Sequence, residues 1–178
     1  MKTIILSLLL LTSLNSYCQT PLLFSEIVEV SGATKDELFI RGREWFNENF
    51  KSAKEVLQIA DKESGELSGK GIMTVDYVLK YMGTHTYKNN VNFQMSIWVK
   101  EGKYKYEMTD FVTSSSDKTY SFGLITSSDE TNVKIPMYSE KKINEMYLSV
   151  KQNTVIKAQS LIEDLKIKMS KNSKSSGW

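Results

Sequence analysis

Residues Val91 to Phe111 read VNFQMSIWVKEGKYKYEMTDF, and this stretch decides the fold. Val91, Phe93, Met95, Ile97 and Val99 alternate with Asn92, Gln94, Ser96, Trp98 and Lys100. After Glu101-Gly102, Tyr104, Tyr106 and Met108 alternate with Lys105, Glu107 and Thr109. Period-two alternation on both sides of a Gly-containing turn predicts a β-hairpin with one buried face. We place it in the middle of an antiparallel sheet.

Upstream, Glu66 to Met82 extends the pattern. Leu67, Gly69, Gly71, Met73, Val75, Tyr77, Leu79 and Tyr81 share one parity, and Gly69 and Gly71 suit a bend or bulge. Asp61 to Gly65 (DKESG) reads as a turn, Lys54 to Ala60 as a strand before it, and Gly83 to Asn90 as a polar loop. Phe24 to Val30 suits a first strand. Thr34 and Glu37 stand in capping-box spacing for a helix reaching about Phe50. Its apolar face carries Leu38, Phe39, Trp45 and Phe46. Gly42 lies on that face, where it allows close approach to a strand.

Thr113 to Ser128 is rich in Ser and Thr but holds Tyr120, Phe122, Leu124 and Ile125. It is either an extra edge strand or a docked loop. From Ser139, the positions Ile143, Tyr147, Val150, Thr154, Ala158, Leu161, Leu165 and Met169 recur at helical spacing. They predict a helix of about 30 residues, roughly 45 Å long. Its distal stripe needs cover from the Tyr120 to Ile125 segment or from a partner chain, which makes this helix a surface for weak homo-oligomerisation. The fold class is therefore α+β, a β-α-β4-α order, with two helices on one face of an antiparallel sheet.

The N-terminus has a different character. Met1-Lys2, the apolar run Ile4 to Leu14 and the Ser16-Tyr17-Cys18 site form a secretory signal peptide, residues 1–18, leaving Gln19 first. A lipoprotein signal would also end at a cysteine. Tyr17 and Asn15 stand where it needs a small residue and a leucine, so lipid anchoring at Cys18 is the lesser reading. The expected organisation is residues 19–170 as one domain and 171–178 as a flexible tail. The mature protein is then exported, periplasmic or extracellular, without cysteine and without a transmembrane segment. The chain carries 23 Lys+Arg against 21 Asp+Glu, a net of +2, which is not the balance of a nucleic-acid binder.

Two segments carry a resemblance: EVSGATKDELFIRGREWFNENFKSAKEVLQIADKESGELSGKG and VNFQMSIWVKEGKYKYEMTDF. Its points are Gly32, Lys35, Leu38, Trp45, Phe46, Asp61 to Gly65, Gly69, Gly71, Gly102, Tyr104, Tyr106 and Asp110-Phe111. Over about residues 27–111 the chain resembles a family of secreted bacterial proteins, a domain of unknown function with a TBP-like (TATA-box-binding-protein-like) fold. The resemblance implies the same β-α-β4-α arrangement and brings no catalytic or binding residues. A TATA-box-binding protein pairs two such units and wedges aromatics into a minor groove. One near-neutral unit behind a signal peptide does not suit that role.

Candidate chemistry is sparse. His85 is the only histidine and stands without a cysteine or second histidine. Asp61, Glu63 and Glu66 gather near a turn without EF-hand spacing, and Lys62 intrudes. Asp76, Glu107 and Asp110 form a carboxylate pair only if the register allows. Tyr77, Tyr81, Tyr104 and Tyr106 line a sugar or lipid pocket or fill the core. Lys166, Lys168, Lys171 and Lys174 face an anionic membrane or water. No phosphate loop, dinucleotide fingerprint, nucleophile elbow or zinc motif is present, and no catalytic residue, metal or cofactor is assigned.

The favoured reading is a non-catalytic binding module for a protein or small-molecule ligand. The alternative is a small hydrolase-like envelope enzyme. The sheet face opposite the helices carries Trp98, Gln94, Lys100, Lys105 and Glu107, and tryptophan is a favoured anchor on recognition surfaces. The competing expectation is that Tyr120, Phe122 and Leu124 fold back and bury Trp98.

Overall fold

The computed structural model describes residues 20–50, 56–80, 83–114 and 120–171. The signal-peptide reading of residues 1–18, the start of the second strand at Lys54, and Tyr81 and Lys174 lie outside them. Among the described residues five strands and two long helices follow in the order β1 (Phe24–Glu29), α1 (Lys35–Asn49), β2 (Leu57–Asp61), β3 (Glu66–Lys80), β4 (Thr84–Lys100), β5 (Lys103–Ser114) and α2 (Glu140–Ser170). The sheet order is β1-β5-β4-β3-β2, and all its pairs are antiparallel.

The β4–β5 hairpin sits at the centre, with Trp98 opposite Lys105 and Lys100 opposite Lys103. Gly102 takes φ 70°, a left-handed conformation that glycine adopts without a Cβ clash. Its carbonyl accepts from Val30 N at 2.8 Å and its N–H donates to Ala33 O at 2.9 Å, tying the turn to the entry of α1. Val91, Phe93, Met95, Ile97, Val99, Tyr104, Tyr106 and Met108 all point into the core.

Of the stretch Gly83 to Asn90, residues 84–90 are not a loop but the start of β4. The β3–β4 ladder continues to Lys80 opposite Thr84. The inward positions of this arm are Asn89, Tyr87 and His85, so the apolar alternation that marks a strand is missing from the sequence. Asn89 is fully buried and donates to Tyr120 O at 2.8 Å, which replaces the apolar contact with a polar one.

β5 contains a bulge. Asn92 faces Val112 and Gln94 faces Thr109, so Asp110 and Phe111 oppose Phe93 alone. The extra residue flips the parity, so that Phe111 and Thr113 continue the inward set begun by Tyr104. Asp110 absorbs the insertion at φ 55°. Asp110→Gly is expected to raise stability by about 0.5–1 kcal/mol. Asp110→Val is expected to lower it by about 1–2 kcal/mol, because a β-branched residue tolerates this region worst. Urea melts of the pair check it, and equal midpoints would show that the bulge carries no left-handed cost.

α1 begins with the capping box: Glu37 N donates to Thr34 Oγ1 at 3.2 Å and Thr34 N to Glu37 Oε2 at 2.9 Å. Its buried face is Leu38, Phe39, Arg41, Gly42, Trp45 and Phe46. A Cβ on Gly42 would stand 2.7 Å from Leu67 Cδ1, so the helix lies close on β3 as expected.

α2 starts after the Ser139 cap and buries Ile143, Met146, Tyr147, Val150, Thr154, Ala158, Ile162, Leu165 and Met169. Ile162 takes the core position expected for Leu161, which is only partly buried. Cover for the distal half differs from expectation. It comes from α1: Arg41 Nη1 donates to Met169 O at 2.9 Å, and Lys168 pairs with Glu44 at 2.9 Å and Glu48 at 2.7 Å. Leu165 and Met169 are thus buried within the chain, while Ile156 and Ile167 of the same helix stay exposed. The Tyr120 to Ile125 segment covers the proximal half instead. Phe122 packs 6.0 Å from Tyr147, and Tyr147 Oη accepts from Thr126 N at 3.0 Å. Thr113 and Ser114 end β5, and of the two readings the docked loop holds for the described residues 120–128. It touches β5 through an isolated bridge of Val112 with Leu124, and the segment before β1 through one of Pro21 with Thr126.

Candidate functional site

Both helices pack on one face of the sheet, and the register places side chains on the other in rows. One row runs Glu66, Trp98, Lys105, Ile27 across β3, β4, β5 and β1. The next, at the hairpin end, is Lys100, Lys103, Glu29. On the far side lie Ser68, Ser96, Glu107, Ser25, and then Lys70, Gln94, Thr109.

A groove of about 410 Å³ opens between the first two rows, lined by Ile27, Trp98, Lys100, Lys103, Tyr104 and Lys105. Ile27 is 64% exposed and Trp98 partly exposed, so an apolar floor meets water on the open face. Lys105 Nζ stands 5.2 Å from the indole centroid and 3.2 Å from Glu107, a cation–π contact joined to an ion pair. Lys103 is 3.9 Å from Glu29. The Lys100 side chain has no ion pair or hydrogen bond among the described residues.

Three of the five sequence-predicted residues, Trp98, Lys100 and Lys105, therefore meet at one groove. Glu107 reaches it only through Lys105. Gln94 does not, because its Nε2 donates to Ser68 Oγ at 2.6 Å, and Ser68 in turn bonds Ser96 at 2.8 Å. Ile27 and Lys103 were missed, and Tyr104, expected to line a pocket or fill the core, borders the groove while lying 1% exposed in the core. The exposed apolar Ile27 signals nothing until the β1–β5 register sets it beside Trp98. Trp98 is not buried by the Tyr120 to Leu124 segment. Leu124 bridges Val112, whose partner Asn92 lies six residues along β4 from Trp98, about 20 Å.

The other candidates dissolve into structure. Asp76 pairs with Lys88 and Glu107 with Ser96, eight residues apart along β4, or about 27 Å, too far for paired carboxylates. Asp61 Oδ1 accepts from Glu63 N at 2.9 Å and Ser64 N at 3.3 Å, and the bonds from Ser64 hold its carboxyl below the usual range. That carboxylate serves the turn. Among the described residues no group of His, Cys, Asp and Glu is set to hold a metal ion. His85 is exposed on β4, its ring 6.4 Å from Tyr87.

Tyr77, Tyr104 and Tyr106 are core residues, exposed by 1%, 1% and 5%. Burial pushes the Tyr77 hydroxyl up to about 12. The Tyr104 hydroxyl has no hydrogen-bond partner among the described residues, and burial raises it as well. Tyr106 Oη donates to Glu26 at 2.9 Å, and Lys166 pairs with the same carboxylate at 2.7 Å. The hydrogen bond from Lys166, then that from Tyr106, hold Glu26 below the usual carboxylate range. Lys166 and Lys168 thus fasten α2 to β1 and α1, and do not stand free for a membrane. No helix among the described residues is long and apolar enough to cross one.

An antiparallel five-stranded sheet, backed by two helices on one face and open on the other, defines a single-unit α+β domain of TBP-like architecture. The chain belongs to the family described as a domain of unknown function (DUF4468) with TBP-like fold, matched over residues 24–114. It is similar to the crystal structure of a DUF4468 family protein from Bacteroides ovatus ATCC 8483. That match has 14% identity and a TM-score of 0.62, covering 86% of this chain and 89% of that one. A TBP-like protein from Parabacteroides distasonis ATCC 8503 is similar at 16% identity and TM-score 0.55, covering 82% of this chain and 93% of that one. At these identities the likeness concerns the fold. No curated protein matches the chain.

Proposed function

We propose that this chain is an exported, non-catalytic binding module that meets its ligand on the open sheet face, at the groove beside Trp98. The observation that carries the reading is an indole left partly exposed, next to an exposed Ile27 and the unpaired Lys100. Large aromatics are normally covered in a core, and one held on a rigid strand costs little entropy to use as an anchor. The fold label itself carries no function.

Tryptophan quenching tests this. Trp45 is 1% exposed, so in a Trp178→Phe background the accessible emission is expected to come from Trp98. Iodide should quench it more than caesium, because three lysines line the groove. Trp98→Phe should abolish the quenchable component. If that substitution removes none of it, Trp98 is covered and this face is packing.

A further inference from the structure

We infer that the groove takes a short acidic oligosaccharide of the uronate type, with a sugar ring against the Trp98–Ile27 floor and carboxylates at Lys100 and Lys103. The inference rests on the reading of this face as a binding surface and names its ligand class. The groove lining holds three ammonium groups and no carboxylate. Lys105 and Lys103 pair with Glu107 and Glu29, but the Lys100 side chain makes no ion pair among the described residues. An unpaired cation beside an indole and an open aliphatic side chain is complementary to a ligand with both an apolar face and negative charge.

The recognising groups decide among anionic ligands. The groove lies on the face of β4 and β5, whose backbone groups are engaged in the ladder, Trp98 to Lys105 and Lys100 to Lys103. A peptide strand gains its affinity by extending a sheet edge, and the nearest one, the outer edge of β1, lies two strands away from Trp98 and Lys100 on β4. Nucleic acid needs a continuous track of cations. Here Glu29, Glu66 and Glu107 stand in the same or adjacent rows and interrupt it. Cross-strand neighbours such as Lys100 and Lys103 have Cβ atoms about 5 Å apart. That spacing suits one or two carboxylates on a short chain of rings, held by point charges without bidentate geometry.

The test is a titration of the 15N-labelled protein with tetragalacturonate, its methyl ester and a hexaglutamate peptide, followed at the Trp98 indole N–H and the Ile27 and Lys100 amides. Tetragalacturonate is expected to shift all three signals. The methyl ester, with the same rings and no charge, is expected to bind about tenfold more weakly. Lys100→Gln should weaken tetragalacturonate by about threefold, as for an exposed ion pair. Trp98→Ala should weaken it by about thirtyfold, as for an anchor residue. Each variant is first shown to keep the wild-type amide spectrum away from the groove. Equal binding of acid and ester would overturn the anionic ligand while keeping the groove. Shifts with hexaglutamate but not tetragalacturonate would make it an acidic-peptide site. If no probe moves these signals, the sugar inference fails, and iodide quenching of Trp98 decides separately whether the face is open.

Discussion

Replacing Trp45 by alanine is expected to lower stability by about 3–5 kcal/mol, the range for a buried large aromatic. For a chain of this size that is a fall in Tm on the order of 10 °C. Trp45 is 1% exposed and anchors an aromatic cluster, with ring centroids 5.2 Å from Phe46 and 5.7 Å from Phe50. Phe50 continues the cluster to Phe93 of β4 at 6.0 Å. Removing the indole therefore opens a cavity where α1 meets the centre of the sheet. Trp45→Phe separates ring volume from polarity. The Trp45 Nε1 is buried without a partner among the described residues, so the indole already bears a desolvation cost that phenylalanine lacks. That loss is expected to be about 1 kcal/mol or less. Urea melts of the two variants check both values. A loss under 1 kcal/mol for Trp45→Ala would show that the α1 face is turned away from the sheet.

The parts legible in the sequence were those where one physical period dominates. The Val91 to Phe111 hairpin, the Thr34–Glu37 cap and the α2 stripe each rest on local chemistry, and the structure has all three. Where a polar residue replaces an apolar one at an inward position, as Asn89 does, periodicity fails and a strand looks like a loop. Asp110 hides the bulge for a related reason: an aspartate at positive φ looks in sequence like any other polar strand residue. The groove was half legible. Trp98, Lys100 and Lys105 follow from parity within one hairpin, but Ile27 and Lys103 join them only through pairing of β1 with β5, a contact between residues distant in the chain. The cover over Leu165 and Met169 was misjudged likewise. Arg41 offered no sign in sequence that its guanidinium would be buried against the end of α2, where the helix dipole favours a cation.

That end of α2 gives the largest expected effect. Truncation after Thr154 removes Ala158, Ile162, Leu165 and Met169, all within 5% of full burial. Burying a large aliphatic side chain contributes about 1.5–3 kcal/mol. Losing the three large ones costs roughly 5–9 kcal/mol, comparable with the about 5–15 kcal/mol that holds a whole domain folded. The cut also strands two kinds of group. Arg41 loses its acceptor, Met169 O, and would stay buried as an unpaired cation unless α1 moves. Lys168 leaves Glu44 and Glu48 one turn apart on α1 with no neutralising charge between them. The inner sheet face around Leu67 and Ile97, both fully buried, would meet water. The truncated chain is therefore expected to be insoluble or to unfold without a cooperative transition. A chain ending at Lys171, which keeps the whole helix, is expected to melt like the full-length protein. Sedimentation velocity with thermal denaturation checks the pair. A truncated protein that stays monomeric and melts cooperatively at the full-length midpoint would mean that the sheet, α1 and the first half of α2 form a sufficient core, and that the clasp of α1 on the distal half adds nothing to stability.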